Sequence, residues 1–279
     1  MNDTIRLIIN ADDLGSGEPT DRGIIESFTS GIVSSASILA NGPSFDSAVE
    51  QVCQSKLPVG VHLNLSEGYA LTAPISGLTD EHGQFPGKTE SRQRFLTGNI
   101  DRDQIQRELL AQINKVKAAG LHPDHLDTHQ HSGLFPVITT PLIFAAKEAG
   151  IRRMRIPKPI LLPNEKPPPP LGDELRLYRQ LAPVMAERLK AAGILTPDGL
   201  LGMPLLDRLD GIELAHLLAN LKPGIWELMV HPGYFDPERE FSGPERVQEL
   251  SVLTSHTIKS MIQQHNIRLT NFLELPCTS

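Results

Sequence analysis

Four short stretches of the chain gather residue types that bind metals and move protons. They are the acid pair Asp12-Asp13, His62 within Val61-His62-Leu63-Asn64-Leu65, the run Asp127-Thr128-His129-Gln130-His131, and His231 ahead of Pro232-Gly233. One carboxylate with two neutral imidazoles makes a three-ligand metal site that leaves positions open for water and substrate. A divalent cation held that way lowers the pKa of bound water and polarises a carbonyl. Of two adjacent acids, one can ligate while the other takes a proton, and His231 is the natural donor to a leaving group. Each element alone has a plainer use. Paired acids after a strand cap helices, a histidine between apolar residues packs in a core, and a His-Pro step ends a strand. Their conjunction is what points to chemistry.

The elements that must position these residues repeat one theme: a β-branched run, a polar corner, then a helical stretch. Strands are expected at Ile5–Ile9, Ser35–Leu39 and Val59–Leu63, at runs ending at Asp127, near Ile156 and at Val230, and at Ile267–Asn271. Helices are expected at Asp21–Phe28, Phe45–Cys53, Asp103–Ala119, Pro136–Ala149, Asp173–Ala192, Ile212–Leu221 and Pro244–Gln264. Strands alternating with helices imply an α/β fold with a parallel sheet, and this many units favour closure into a single (β/α) barrel spanning 1–279. The candidate residues then fall at the carboxyl ends of separate strands, the rim where such folds place their active sites. Two stretches break the repeat. Residues 66–100 are rich in Gly, Pro and Thr, and residues 157–172 include four successive prolines, which predict an extended, non-helical connection. Both are candidate substrate walls or lids, with plain surface loops as the equal alternative.

Composition narrows the function classes. Hydrophobic residues make up 39% and charged residues 21%, enough apolar content for a sizeable core without disulfides. A formal charge of −7 with no basic run argues against nucleic acid as a partner. Cys53 and Cys277 are too few and too far apart for a disulfide framework or a thiolate metal site. The first residues carry an acid where a signal peptide is basic, and the apolar run Ile5–Ile9 is interrupted by Arg6 and too short to span a membrane. The expected location is the cytoplasm.

Five blocks, in order, carry a resemblance that covers most of the chain: Asn10-Ala11-Asp12-Asp13-Leu14-Gly15, Gly31-Ile32-Val33-Ser34-Ser35-Ala36-Ser37, Val59 to Leu65, His125 to His131, and Glu227 to Tyr234. Together they resemble the YdjC-like carbohydrate deacetylases, a family that includes chitooligosaccharide deacetylase and hopanoid-biosynthesis-associated deacetylase-like proteins. The resemblance implies a distorted β/α barrel related to the polysaccharide deacetylases, and hydrolysis of an N-acetyl group from an amino sugar. It implies that Asp12 is the catalytic base, that Asp13, His62 and His129 hold one divalent metal ion (magnesium or zinc), and that His231 is the acid. A further histidine that the family block often carries is Gly133 here, which leaves the implied ligand set intact.

Other residues have expected secondary roles. Asp127 orients an imidazole or caps its loop, and His131 meets substrate or steadies the loop. Arg153 and Arg155 pair with Asp12 or bind sugar hydroxyls, with at least one of the two a solvated charge. Tyr69 and Tyr234 offer rings for stacking on a sugar, although packing is the simpler use for each, and His125 sits within its strand. The partner expected is a small N-acetylated sugar, and a homodimer is the default assembly. Two rivals stand beside this reading: a metal-dependent phosphoesterase or amidohydrolase acting on a non-sugar substrate, and a sugar-binding barrel without turnover.

Overall fold

The computed structural model describes residues 4–161, 167–237, 239 and 241–276. Seven parallel strands are formed by β1 (Ile5–Leu14), β2 (Ser35–Ile38), β3 (Val59–Leu63), β4 (Leu126–Thr128), β5 (Gly199–Leu201), β6 (Gly224–Val230) and β7 (Ile267–Thr270). Around them lie α1 (Glu18–Thr29), α2 (Phe45–Ser55), α3 (Lys88–Thr97), α4 (Arg102–Ala118), α5 (Pro136–Ala149), α6 (Leu171–Ala191), α7 (Gly211–Asn220), α8 (Pro244–Thr254) and α9 (His256–Gln264). The main sheet runs β4-β3-β2-β1-β6-β5 and curls strongly. Its two edges are joined by residues 153–160. Arg155 N–H donates to Leu126 O of β4, and Ile160 N–H donates to Leu200 O of β5. The result is a distorted α/β barrel with one irregular stave, where the sequence predicts a strand near Ile156. Pro157 and Pro159 remove two backbone donors there, so only isolated bridges form.

Strand β1 shows how the barrel is filled. Leu7, Ile9 and Ala11 belong to the large core between sheet and helices, while Ile8 belongs to a small cluster with Phe272 and Leu275. Alternation along a strand sends these two sets to opposite faces. The interior face therefore begins apolar at Ile8 and turns polar at Asn10 and Asp12, both fully or nearly buried. Phe272 stacks on His125 at 3.7 Å between ring centroids. Gly60 makes that possible, because a Cβ there would stand 2.4 Å from the His125 ring. His125 is thus a packing residue below the site, with Asp124 bonded to its Nδ1 at 2.5 Å.

Several predicted boundaries move, each for a local reason. Strand β1 continues through the Asn10–Asp13 corner to Leu14. The 66–100 stretch contains α3, which buries only Ser91 and Phe95 and so leaves almost no apolar period in the sequence. The proline-rich stretch is not extended to its end, since α6 begins at Leu171; residues 162–166 lie outside the described set. One predicted helix at Pro244–Gln264 is two, divided at Ser255, whose hydroxyl caps the second through Thr257 N–H. Strand β5 has only three residues and escaped the pattern. Cys53 is a free, exposed thiol, and Cys277 lies outside the described residues. Among the described residues no helix is long and apolar enough to cross a membrane.

Candidate active site

A regular strand would point Asp12 and Asp13 to opposite faces. The β1–β2 register shifts between Ala11 and Leu14, and Asp13 takes a left-handed φ of 68°. Aspartate tolerates that conformation better than most side chains. The bulge brings both carboxylates to the same rim, Asp12 facing inward and Asp13 above it. The loop beyond is tied down by Asp21, which accepts from Gly15 N–H and Ser44 Oγ at 2.6 Å each.

Asp13, His62 and His129 converge. His129 Nδ1 lies 3.0 Å from Asp13 Oδ1, His62 Nε2 lies 3.3 Å from the same oxygen, and the two nitrogens are 3.2 Å apart. Ligands about 2.1 Å from a cation are separated by ~3.0 Å at octahedral angles and ~3.4 Å at tetrahedral angles. The triangle fits either. Asp13 Oδ1 is buried without a hydrogen-bond partner, as expected of an oxygen whose lone pairs point at a cation position. Burial opposes charge on both imidazoles, yet Asp127 and Asp12 push His62 well above the usual histidine range. Against the same burial, Asp13 raises His129 to about 9. Burial would raise Asp13 in turn, but His129 and His62 hold its carboxyl well below the ordinary range. A site that collects protons in this way is one where a metal can replace them.

Beneath the triangle lies a polar layer centred on Arg155, which is 1% exposed. Its guanidinium clamps Asp12 with two bonds of 2.6 Å, reaches Asp127 Oδ2 at 2.9 Å, and holds Glu227 Oε1 at 2.6–2.7 Å. Asp127 Oδ1 bonds His62 Nδ1 at 2.8 Å, which leaves Nε2 facing Asp13. Ser37 Oγ donates to Asp127 at 2.9 Å, and Asn10 Nδ2 donates to Asp12 at 2.9 Å. Burial would raise both aspartates, but the Arg155 charge holds Asp12 and Asp127 below the ordinary range, while burial wins at Glu227 and raises it. A second cluster of ligand atoms, Asp12 with His62 and Asp127, is already committed to Arg155 and Ser37.

His231 closes the far side. Its Nε2 is 4.0 Å from Asp12 Oδ2, its ring meets Phe241 edge-on at 5.2 Å, and Glu249 accepts its backbone N–H at 2.8 Å. Burial, aided by Arg246 and Arg155 and opposed by Asp12, lowers its pKa to about 4. His131 also lines the site, with a left-handed φ of 58° beside Gln130 at 53°. Its Nδ1 has no partner, and burial together with the Arg155 charge keeps the ring neutral. These groups share a cleft of about 1100 Å³. Part of its wall joins α3 to α6: Glu174 of α6 holds Arg92 at 2.8 Å and Lys88 at 3.2 Å, both from α3. Arg92 also donates to Tyr178 at 2.5 Å, and the Tyr178 ring stands edge-on to His131 at 5.4 Å.

Not every expected residue arrives. The Arg153 guanidinium bonds Leu273 O, away from the triangle. Tyr234 bonds Glu26 with Arg22 4.5 Å over its ring, and Tyr69 is 55% exposed. Neither tyrosine lines the cleft. Gly133 is packed so closely that a Cβ would come within 2.9 Å of Leu142 Cδ2, so no side chain fits there without displacement.

The sequence profile of the family described as YdjC-like protein matches residues 6–264. The chain belongs to the YdjC-like family. Among its relatives is carbohydrate deacetylase 1 of Listeria innocua, 30% identical over 275 residues that cover 97% of this chain and all of the relative. The human carbohydrate deacetylase is 30% identical over 297 residues, covering 95% of this chain and 89% of the human protein. A solved structure from Enterococcus faecalis, provisionally named for cellobiose-phosphate cleavage, superposes with a TM-score of 0.73 at 25% identity, covering 97% of this chain and 98% of that one. A peptidoglycan N-acetylglucosamine deacetylase, Bc1960, shares the fold with a TM-score of 0.51 at 10% identity, over all of this chain and 91% of its own. In this YdjC-like chain the sequence reading passed over Glu227, Glu67 and Tyr178. Glu227 has a signal in hindsight, a lone acid inside the apolar run Ile225 to Val230. The other two lie in the irregular stretch after β3 and on α6, where no pattern marks them.

Proposed function

We propose that the chain is a metal-dependent carbohydrate N-deacetylase, releasing acetate and a free amine from an N-acetylated amino sugar or oligosaccharide. The observation that carries this is the triangle of Asp13 Oδ1, His62 Nε2 and His129 Nδ1, with the spare carboxylate of Asp12 beside it at the foot of a large cleft. The relatives named carbohydrate deacetylases support the same reading. Asp13, His62 and His129 would hold the cation; its nature, zinc or magnesium, is open to either ligand geometry. When bound, such a cation polarises an amide carbonyl and lowers the pKa of water.

The remaining work falls to side chains. Hydrolysis forms a carbon–oxygen bond to water and breaks the carbon–nitrogen bond, so one proton must leave the water and one must reach the amine. Arg155 keeps Asp12 ionised and aimed, ready to take the first. His231, neutral at neutral pH, must gain a proton before it can give one, and Asp12 at 4.0 Å is a source. Asp127 and Ser37 hold the His62 ring in place. The cleft volume exceeds that of most small-molecule pockets, which suits a substrate of more than one sugar ring. A two-metal phosphoesterase is not favoured, since the second ligand cluster is occupied by Arg155. Location in the cytoplasm and a homodimeric state remain part of the proposal on sequence grounds and the commonness of dimers.

The test is acetate release from N,N′-diacetylchitobiose, before and after chelation and with Zn²⁺ or Mg²⁺ added back. Chelator-sensitive release restored by metal is expected. Absence of release from metal-loaded protein, across a panel of N-acetylated sugars, would overturn the proposal.

A further inference from the structure

The two histidines of the triangle are supported in opposite ways. His62 is held from the barrel interior, its Nδ1 on Asp127 and its Nε2 toward Asp13. His129 stands at the rim and is turned round, with Nδ1 toward Asp13 at 3.0 Å and Nε2 outward. The group facing that outer nitrogen is Glu67, whose Oε2 lies 3.4 Å away at ion-pair distance, and Nε2 has no hydrogen-bond partner among the described residues.

Glu67 comes from the irregular stretch after β3, yet its backbone is fixed. Its N–H donates to Asn64 Oδ1 at 3.1 Å, and its carbonyl accepts from Asn64 Nδ2 at 2.9 Å and from Asn41 Nδ2 at 3.3 Å. Asn64 donates its own N–H to the buried Gln112 at 2.9 Å. The other carboxylate oxygen, Oε1, accepts from Gln130, the neighbour of His129. A side chain that is 54% exposed is thereby held at both ends against the rim.

We propose that Glu67 is a positioning residue for His129, accepting the Nε2–H so that Nδ1 keeps a free lone pair for the metal. A neutral imidazole carries one N–H, and the nitrogen that binds a cation is the one whose partner nitrogen holds the proton. An acceptor at Nε2 selects that tautomer and fixes the ring plane, as carboxylates do for metal-bound histidines elsewhere. Glu67 does on the cleft side what Asp127 does for His62 in the interior.

This inference rests on the metal-site reading, and one experiment separates the two. Chelator-stripped wild type, Glu67→Ala and Glu67→Gln are titrated calorimetrically with Zn²⁺ and Mg²⁺. Long-range ¹⁵N spectra of the zinc-loaded wild type report which His129 nitrogen carries the proton. Glu67→Ala is expected to bind metal about tenfold more weakly, the lower end of the range for such partners. Glu67→Gln keeps an acceptor oxygen and is expected to stay within about threefold of wild type. The spectrum is expected to show the proton on Nε2. Alanine binding as tightly as wild type, or glutamine binding as weakly as alanine, would overturn the assignment while leaving the metal site standing; the proton on Nδ1 would overturn the assignment and remove His129 Nδ1 from the ligand set. Wild type that binds no metal would overturn the site reading and this assignment with it.

Discussion

Replacing Arg155 by methionine removes the cation that Asp12, Asp127 and Glu227 share and leaves an apolar stem in its place. The guanidinium makes contacts of 2.6–2.9 Å with the three carboxylates inside a fully buried layer. Deleting one partner of a buried ion pair costs about 3–5 kcal/mol, because the remaining charge is stranded away from water. At roughly 2 °C per kcal/mol for a chain of this length, the melting temperature should fall by about 6–10 °C. The pH dependence tests the cause. In the wild type Asp12 and Asp127 are held below their ordinary value. Their contribution is therefore present above an unfolded value of about 4, and is lost only as pH falls through the folded one. In the variant burial still raises both groups and is opposed only by His62 and, at Asp12, His231, so they take up protons at a higher pH than in the wild type and the penalty shrinks on acidification. Urea unfolding of chelator-stripped protein should show the larger loss at pH 7.5 and a smaller one at pH 5.0. An equal loss at both, or a loss below about 1 kcal/mol, would refute the claim that one guanidinium neutralises this layer.

Two further substitutions probe the site and its frame. Asp12→Asn should lower acetate release by about 10²–10⁴-fold while metal affinity, read by calorimetry, stays near that of wild type. Both Asp12 oxygens are bonded to Arg155 and stand no closer than 4.0 Å to His62 Nε2; full activity would sink the base assignment. Gly23→Ala would place a Cβ 2.5 Å from Gly233 Cα, forcing α1 away from the block that carries His231. We expect a loss of about 1–3 kcal/mol with reduced turnover and unchanged metal affinity, and an unaltered melting temperature would contradict this packing.

Residue type and period carried much of this protein openly. The alternation of Leu7, Ile9 and Ala11 against Ile8, Asn10 and Asp12 is written in β1, and the strand ends near His62 and His231 follow from runs containing β-branched residues that meet polar corners. What was hidden depends on groups distant in the chain. Nothing local distinguishes Arg155 from Arg153, two residues earlier; only closure of the barrel puts one among three carboxylates and the other against Leu273. The left-handed turn at Asp13 arises from a register shift against β2, and the role of Glu67 from asparagines at positions 41 and 64. The sequence by itself determined most of the strands, β5 and the irregular stave near Ile156 excepted, and which residue types reach their carboxyl ends, because side-chain period and backbone propensity act locally. The tertiary structure alone decided which charges meet, because ion pairing in a buried layer is set by which strands become neighbours.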